Sequence, residues 1–202
     1  MLGLPSNTEV NKQLPKTAIF RLFDSNSLPR ERFDDDISRI VIVNELSSVT
    51  LNVAEGNNVK SIFALNVMLK RKDYDSRNII ALNKLIPQKM LFVLQKDDTI
   101  QLAVVHTQLI TSDWYKAEEY KIQLAGLNLN TIWDNIVKQV GNIKIEDGNS
   151  LTEQIAVDAE RAKKEKQIAL LEKQCRLEKQ TRKKYELHKL LLQLKEELNG
   201  SI

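Results

Sequence analysis

Along the first three quarters of the chain, apolar residues at helical spacing are interspersed with alternating stretches, and the last quarter keeps helical spacing throughout. Pro15 precedes Ala18, Ile19, Leu22 and Phe23, and Pro29 precedes Phe33, Ile37 and Ile40, both sets at helical intervals. A proline is tolerated in a first helical turn, where its missing N–H has no bond to lose, so two short helices are predicted there. Ile40–Val43 is β-branched and predicts a strand, and Thr50–Val53 a short second one before the turn signal Glu55-Gly56-Asn57-Asn58. In Ser61–Lys70 one face carries Phe63, Leu65, Val67 and Leu69, while Ile62, Ala64 and Met68 fill much of the other. A strand apolar on both faces belongs in the middle of a sheet.

Downstream, Asp75–Leu85 reads as an amphipathic helix, with Ile79, Leu82 and Leu85/Ile86 on one side and Pro87 as its stop. Met90–Leu94 and Thr99–Ile110 predict two strands around the turn Gln95-Lys96-Asp97-Asp98, and Tyr120–Leu124 another. Asn130 is the predicted cap of a helix carrying Ile132, Trp133, Ile136, Val137 and Val140 and stopped by Gly141, with Ile143–Ile145 as an edge strand. Residues 1–148 therefore predict an α+β body, an antiparallel-rich mixed sheet with flanking helices. Pattern alone leaves the strand order open.

After Gly148 the pattern changes. Ser150-Leu151-Thr152-Glu153 is a capping box, and from there to Leu198 neither Gly nor Pro interrupts a run of strong helix formers. Residues 149–202 predict a long helical arm. Leu170, Leu177, Leu191 and Leu198, with Leu187 and Leu194 between them, keep coiled-coil spacing, but Lys173, Gln180 and Lys184 weaken the seam. Gln180-Thr181 is the favoured place for a bend, and both a single helix and a helical hairpin stay open. One helix cannot bury Leu187, Leu190, Leu191, Leu194 and Leu198 against itself, so these leucines are candidate partner contacts.

Charge sharpens the division. Residues 1–150 hold 18 basic and 18 acidic side chains, and residues 151–202 hold 12 and 9, so the arm carries the whole net charge of +3. Lys163, Lys164, Lys166, Lys173, Arg176, Lys179, Arg182, Lys183 and Lys184 form a stripe that phosphates could follow, or a solvated helix face with pairs such as Glu160–Lys164. One cysteine, Cys175, excludes an intrachain disulfide and suits a reducing compartment. With no apolar run of membrane-spanning length and no secretory pattern at the start, a cytoplasmic protein without membrane contact is expected.

Little in the sequence carries chemistry. His106 and His188 have no neighbour at metal-ligand spacing, and Cys175 has no His or Asp partner, although Lys173, Arg176 and Lys179 surround it. Phosphate-binding glycine loops and serine elbows are absent from the sequence, so no catalytic, cofactor or metal site is expected. One pattern stands against that expectation. Glu119-Tyr120-Lys121 is an E-x-K with Asp97 and Asp98 upstream, the residue types a metal-dependent nuclease uses.

Four stretches carry a resemblance: MLGLPSNTEVNKQLPK, DISRIVIVNELSSVTLNVAEG, LIPQKMLFVLQ and LEKQCRLEKQTRKKYELHKLLLQLKEEL. Together they resemble the bacterial family known as domain of unknown function 4391, across essentially the whole chain. The resemblance implies no catalytic residue. It implies a setting beside DNA methyltransferases and helicases of restriction or phage-defence type. The expected function is an accessory or scaffold subunit of such an assembly, docked on a larger partner, a helicase or a DNA methyltransferase, through the arm. Direct DNA binding by the basic stripe is the alternative, a divergent metal-dependent nuclease a second one, and the arm also offers a route to self-association.

Overall fold

The computed structural model describes residues 2–22 and 30–199; Phe23 and Pro29 of the predicted N-terminal helices lie outside the described residues. The chain forms two compact units, Met1–Lys144 and Ile145–Ile202. In the first, a 3₁₀ turn at Ser6–Thr8 leads into β1 (Glu9–Leu14), α1 (Lys16–Leu22), α2 (Arg30–Asp36), β2 (Ile37–Ser47) and α3 (Ser48–Leu51). Next come β3 (Ser61–Leu69), α4 (Arg77–Leu85), β4 (Lys89–Lys96), β5 (Thr99–Val105), β6 (Leu109–Lys116) and α5 (Leu129–Gly141). The second unit consists of α6 (Leu151–Leu177) and α7 (Thr181–Asn199).

The six strands pair in chain order. Neighbours are antiparallel except β3 and β4, which run parallel because α4 carries the chain back across the sheet between them. The expected α+β architecture, with its antiparallel-rich mixed sheet and flanking helices, is therefore present, and the strand apolar on both faces, β3, lies inside the sheet.

Two layers of helix cover the sheet. On one face Leu65, Val67 and Leu69 of β3 join Met90, Phe92 and Leu94 of β4, and Ile19, Phe33, Ile79 and Leu82 from the helices close the core. On the other face Leu91, Val93, Leu102 and Val104 are buried, as are Ile132, Trp133, Ile136, Val137 and Val140 of α5. Helix α5 packs on β3, β5 and β6, close enough that a Cβ on Gly141 would come within 2.8 Å of the Ile110 side chain.

The helical spacing of Phe33, Ile37 and Ile40 is met in an unexpected way. The helix ends at Asp36 and the strand starts at Ile37. Ile37 lies opposite Leu69 and Arg39 opposite Met68, so Ser38 is an extra residue bulged out of the ladder. The bulge keeps Ile37 and Ile40, which a regular strand would point to opposite faces, in the same core.

Several predicted elements differ. Thr50–Val53 is not a strand: Ser47 caps α3 and Thr50 returns the bond, so local side-chain hydrogen bonding outweighs β-branched propensity. Thr99–Ile110 is two strands, parted at His106–Gln108. Tyr120–Leu124 and Ile143–Ile145 form no strand, the former being held by the bond from the Ile122 N–H to the Leu2 carbonyl. Strand β1 is an edge strand of mostly polar residues, with Val10 and Leu14 too far apart to alternate, and it left no signal. Asn128, not Asn130, caps α5, accepting from the Thr131 N–H at 3.0 Å.

Candidate functional site

The second unit is a helical hairpin. Its capping box forms as the sequence predicts: Ser150 Oγ accepts from the Glu153 N–H, and the Glu153 carboxylate accepts from the Ser150 N–H at 2.8 Å. That second bond holds the Glu153 carboxyl below its ordinary range. The helix then runs 27 residues and stops at Glu178–Gln180, beside the predicted bend. Lys195 of α7 donates to Glu172 of α6 at 2.7 Å and Lys164 pairs with Glu197 at 3.6 Å, tying the two helices side by side.

This bend decides what the leucines do. Leu191 is buried, and Leu187, Leu194 and Leu198 are half-buried; Leu190 and Leu192 are exposed. The seven-residue spacing does not continue as one seam across the bend, because Leu170 and Leu177 at equivalent positions of α6 are 57% and 70% exposed. A groove of ≈ 380 Å³ is lined by Ala156, Val157, Glu160, Arg161, Lys164 and Leu198.

The basic stripe is broken into parts. Lys163 pairs with Glu160, Lys164 with Glu197 and Arg182 with Glu186, all at 3.5 Å or more and exposed enough to contribute little. Lys166 stays on the exposed side of α6, and the remaining members gather near the bend. Cys175 is buried, which removes it from the reagents a reactive thiolate would meet.

The body contains two polar constellations that the sequence did not mark. The first surrounds Asp36, fully buried where α2 passes into β2. One carboxylate oxygen accepts from Arg71 at 2.7 and 2.6 Å, the other from the Asp75 N–H at 2.7 Å and Asn78 Nδ2 at 2.8 Å. The carboxylate raises the pKa of the Arg71 guanidinium. Next to it Arg77 holds the Asp75 carboxyl down to about 2. The β3–α4 loop is also strapped to the sheet by Tyr74, which donates to Gln101 at 2.9 Å, and by Lys72, 5.0 Å above the Trp114 ring. Burial pushes the Tyr74 phenol up to about 12. With four donors on one carboxylate, Asp36 is an anchor for this loop and has no free lone pair to offer a substrate.

The second constellation is at the other end of the strands. Continuing the β4–β5 register, in which Leu91 faces Val104, sets Lys89 opposite His106. Lys89 Nζ sits 5.7 Å above the Trp133 ring of α5. His106 Nδ1 and Trp133 Nε1 are buried without a hydrogen-bond partner among the described residues. Burial lowers the His106 pKa, the Lys89 charge lowers it further and Asp134 opposes them, leaving the imidazole neutral at pH 7. In the sequence His106 falls within the predicted strand Thr99–Ile110; the β4–β5 pairing sets it opposite Lys89, and the packing of α5 brings the Trp133 ring to Lys89.

A neutral native imidazole has a consequence for stability. Its pKa in the fold lies below the unfolded value of about 6.5, so the unfolded chain takes up the proton first as pH falls. The native state is then expected to lose stability as pH drops below about 6.5. Thermal midpoints at neutral and mildly acid pH should fall less for His106→Gln than for the parent; equal falls in both would refute the assignment.

The E-x-K lies outside the strands, in a turn and irregular chain, although the turn that carries Glu119 meets the β4–β5 turn through the bond from the Ala117 N–H to the Asp98 carbonyl. Glu119 lies in the turn after β6 and pairs with Lys116 at 3.4 Å, and Lys121 is in irregular chain against Gly3. Asp97 occupies the β4–β5 turn, paired with Lys96 at 2.9 Å. Among the described residues no three His, Cys, Asp or Glu side chains are grouped to hold a metal ion, and no helix is long and apolar enough to cross a membrane.

A family model described as Domain of unknown function (DUF4391) matches residues 2–198. No curated protein and no solved structure matches the chain.

Proposed function

The chain belongs to the DUF4391 family, to which no activity is attached, and from that premise we propose that it is a non-catalytic docking subunit whose helical hairpin holds a helix of a larger partner. The observation that carries this reading is the outward stripe of α6. Lys166, Leu170, Lys173 and Leu177 follow one another at helical spacing, and all four are exposed. Leucines left in water next to lysines suit a third helix that brings its own leucines and flanks them with Asp or Glu. Such a helix would bury Leu170 and Leu177 and pair with Lys166 and Lys173, at about 1.5–3 kcal/mol for each leucine covered.

The identity of the partner follows from what the family resemblance implies, a helicase or a DNA methyltransferase of a bacterial restriction or defence assembly. The test is affinity capture of the tagged full chain from its native host, followed by identification of what is retained. The parent chain should retain one of these enzymes, and L170E/L177E should lose it while keeping its thermal midpoint. Retention of neither enzyme, or equal retention by both proteins, would refute the proposal. Concentration-dependent self-association through the same leucines would assign the stripe to a second copy of this chain.

A further inference from the structure

The bend sorts charge along the hairpin. Residues 173–184 contain six basic side chains, Lys173, Arg176, Lys179, Arg182, Lys183 and Lys184, and one carboxylate, Glu178. The rest of the second unit carries 6 basic and 10 acidic residues. All six cations are exposed. Among the described residues Arg182 pairs with Glu186 at 3.5 Å, whereas Lys173, Lys179, Lys183 and Lys184 form no ion pair. The one local carboxylate is already engaged, accepting from the Gln180 N–H at 2.8 Å.

Folding does not ask for this arrangement. Helix α7 opens on Arg182, Lys183 and Lys184 and has no acidic residue in its first turn. Cations at that end oppose the helix dipole, where Asp or Glu would stabilise. The chain turns back at Glu178–Gln180, which brings these three toward Lys173, Arg176 and Lys179 and adds mutual repulsion. Inside the fold this excess of cations is only partly offset, by Glu186 on Arg182 and by Glu172 near Arg176, which points to a ligand that supplies the missing negative charge.

The residue types identify that ligand. Around the cations stand the amides Gln174 and Gln180, which line a groove of ≈ 570 Å³ with Leu177, Glu178, Lys179 and Leu187, and Tyr185, 71% exposed. Lys, Arg, Gln and Tyr are the side chains that contact phosphate oxygens, while the cores of protein interfaces are depleted in lysine. Double-stranded DNA presents a charge about every 1.7 Å along its axis, dense enough to meet six closely set cations at once. We propose that the bend of the hairpin, residues 173–185, is a sequence-independent contact for the phosphate backbone of duplex DNA. It shares Lys173 and Leu177 with the docking stripe, so a helix seated there would compete with DNA for them; the test uses only the purified chain and DNA.

Binding of the full chain to a short labelled duplex is measured by fluorescence anisotropy between about 50 and 200 mM salt. With five or six phosphates neutralised, log affinity should fall against log salt with a slope of about −4.5 to −5.4. Two duplexes of unrelated sequence should bind alike. R182E/K183E/K184E should flatten the slope by about 3 and weaken binding at least about tenfold. Its thermal midpoint should hold or rise, since acidic residues suit the first turn of α7. R182Q/K183Q/K184Q, which adds no repulsion, should flatten the slope equally. Absence of salt-dependent binding by the parent chain, unchanged binding by both variants, or tighter binding to RNA or single strands would overturn the proposal.

Discussion

Asp36→Ala is expected to destabilise the body by about 3–5 kcal/mol, the range for breaking a buried charged network by removing one partner. The carboxylate is fully buried and accepts four hydrogen bonds, two from Arg71 and one each from the Asp75 N–H and Asn78. Arg71 itself is 59% exposed and regains water when its partner goes. The Asn78 amide, fully buried, does not have that recourse, and a buried donor left unpaired costs about 1–3 kcal/mol. The loss therefore falls on the loop that crosses from β3 to α4. At ~2–4 °C per kcal/mol for a chain of this size, the thermal midpoint should drop by roughly 10 °C. A midpoint within about 2 °C of the parent would show that the loop is held by its other straps, Tyr74 and Lys72.

Phe92→Ala should cost a similar amount, about 3–5 kcal/mol, through a cavity. Phe92 is fully buried at the centre of the sheet, between Leu65 of β3 and Ala103 of β5. The small Ala103 opposite is what makes room for the ring, and neighbours held in β-ladders on both sides cannot collapse into the void. Phe92→Leu keeps most of the volume and should cost about 1–2 kcal/mol. Urea unfolding of the three proteins distinguishes them: an alanine variant no weaker than the leucine one would place Phe92 outside the core.

These two residues differ in how far the sequence announced them. Phe92 was legible, since it stands in an apolar run between turn signals, and such a run is buried whatever it packs against. The start of α6 was legible for a similar reason. At Ser150 and Glu153 both partners of the cap lie within one turn, so the bond depends on no distant part of the chain. Asp36 was not legible. In Asp34-Asp35-Asp36 nothing local separates a solvated carboxylate from a buried one, and its donors come from Arg71, Asp75 and Asn78, at least 35 residues away. The same holds for His106, whose surroundings come from β4 and α5.

Gly56 shows the limit at a single position. It reads as a turn glycine, yet a Cβ there would lie 2.1 Å from Asn130 Oδ1, the atom that accepts from the Val59 N–H at 3.1 Å. The need for glycine comes from the approach of α5, and Asn130 was read as a cap because its actual partners are more than 70 residues away.

The bipartite plan, an α+β body with a charged helical arm, was already contained in the sequence, because periodicity and composition are properties of neighbouring residues. So was the unusual density of leucine and lysine in the arm. Tertiary structure decided which of them remain available. The bend at Glu178–Gln180 buries Leu191, leaves Leu170 and Leu177 in water and draws six cations of a long stripe to one end. In the body, the Ser38 bulge turned a helical spacing of Phe33, Ile37 and Ile40 into a shared core face. The physical reason is common to both: a face is buried or exposed only relative to what packs on it, and packing partners are set by contacts that sequence spacing does not record.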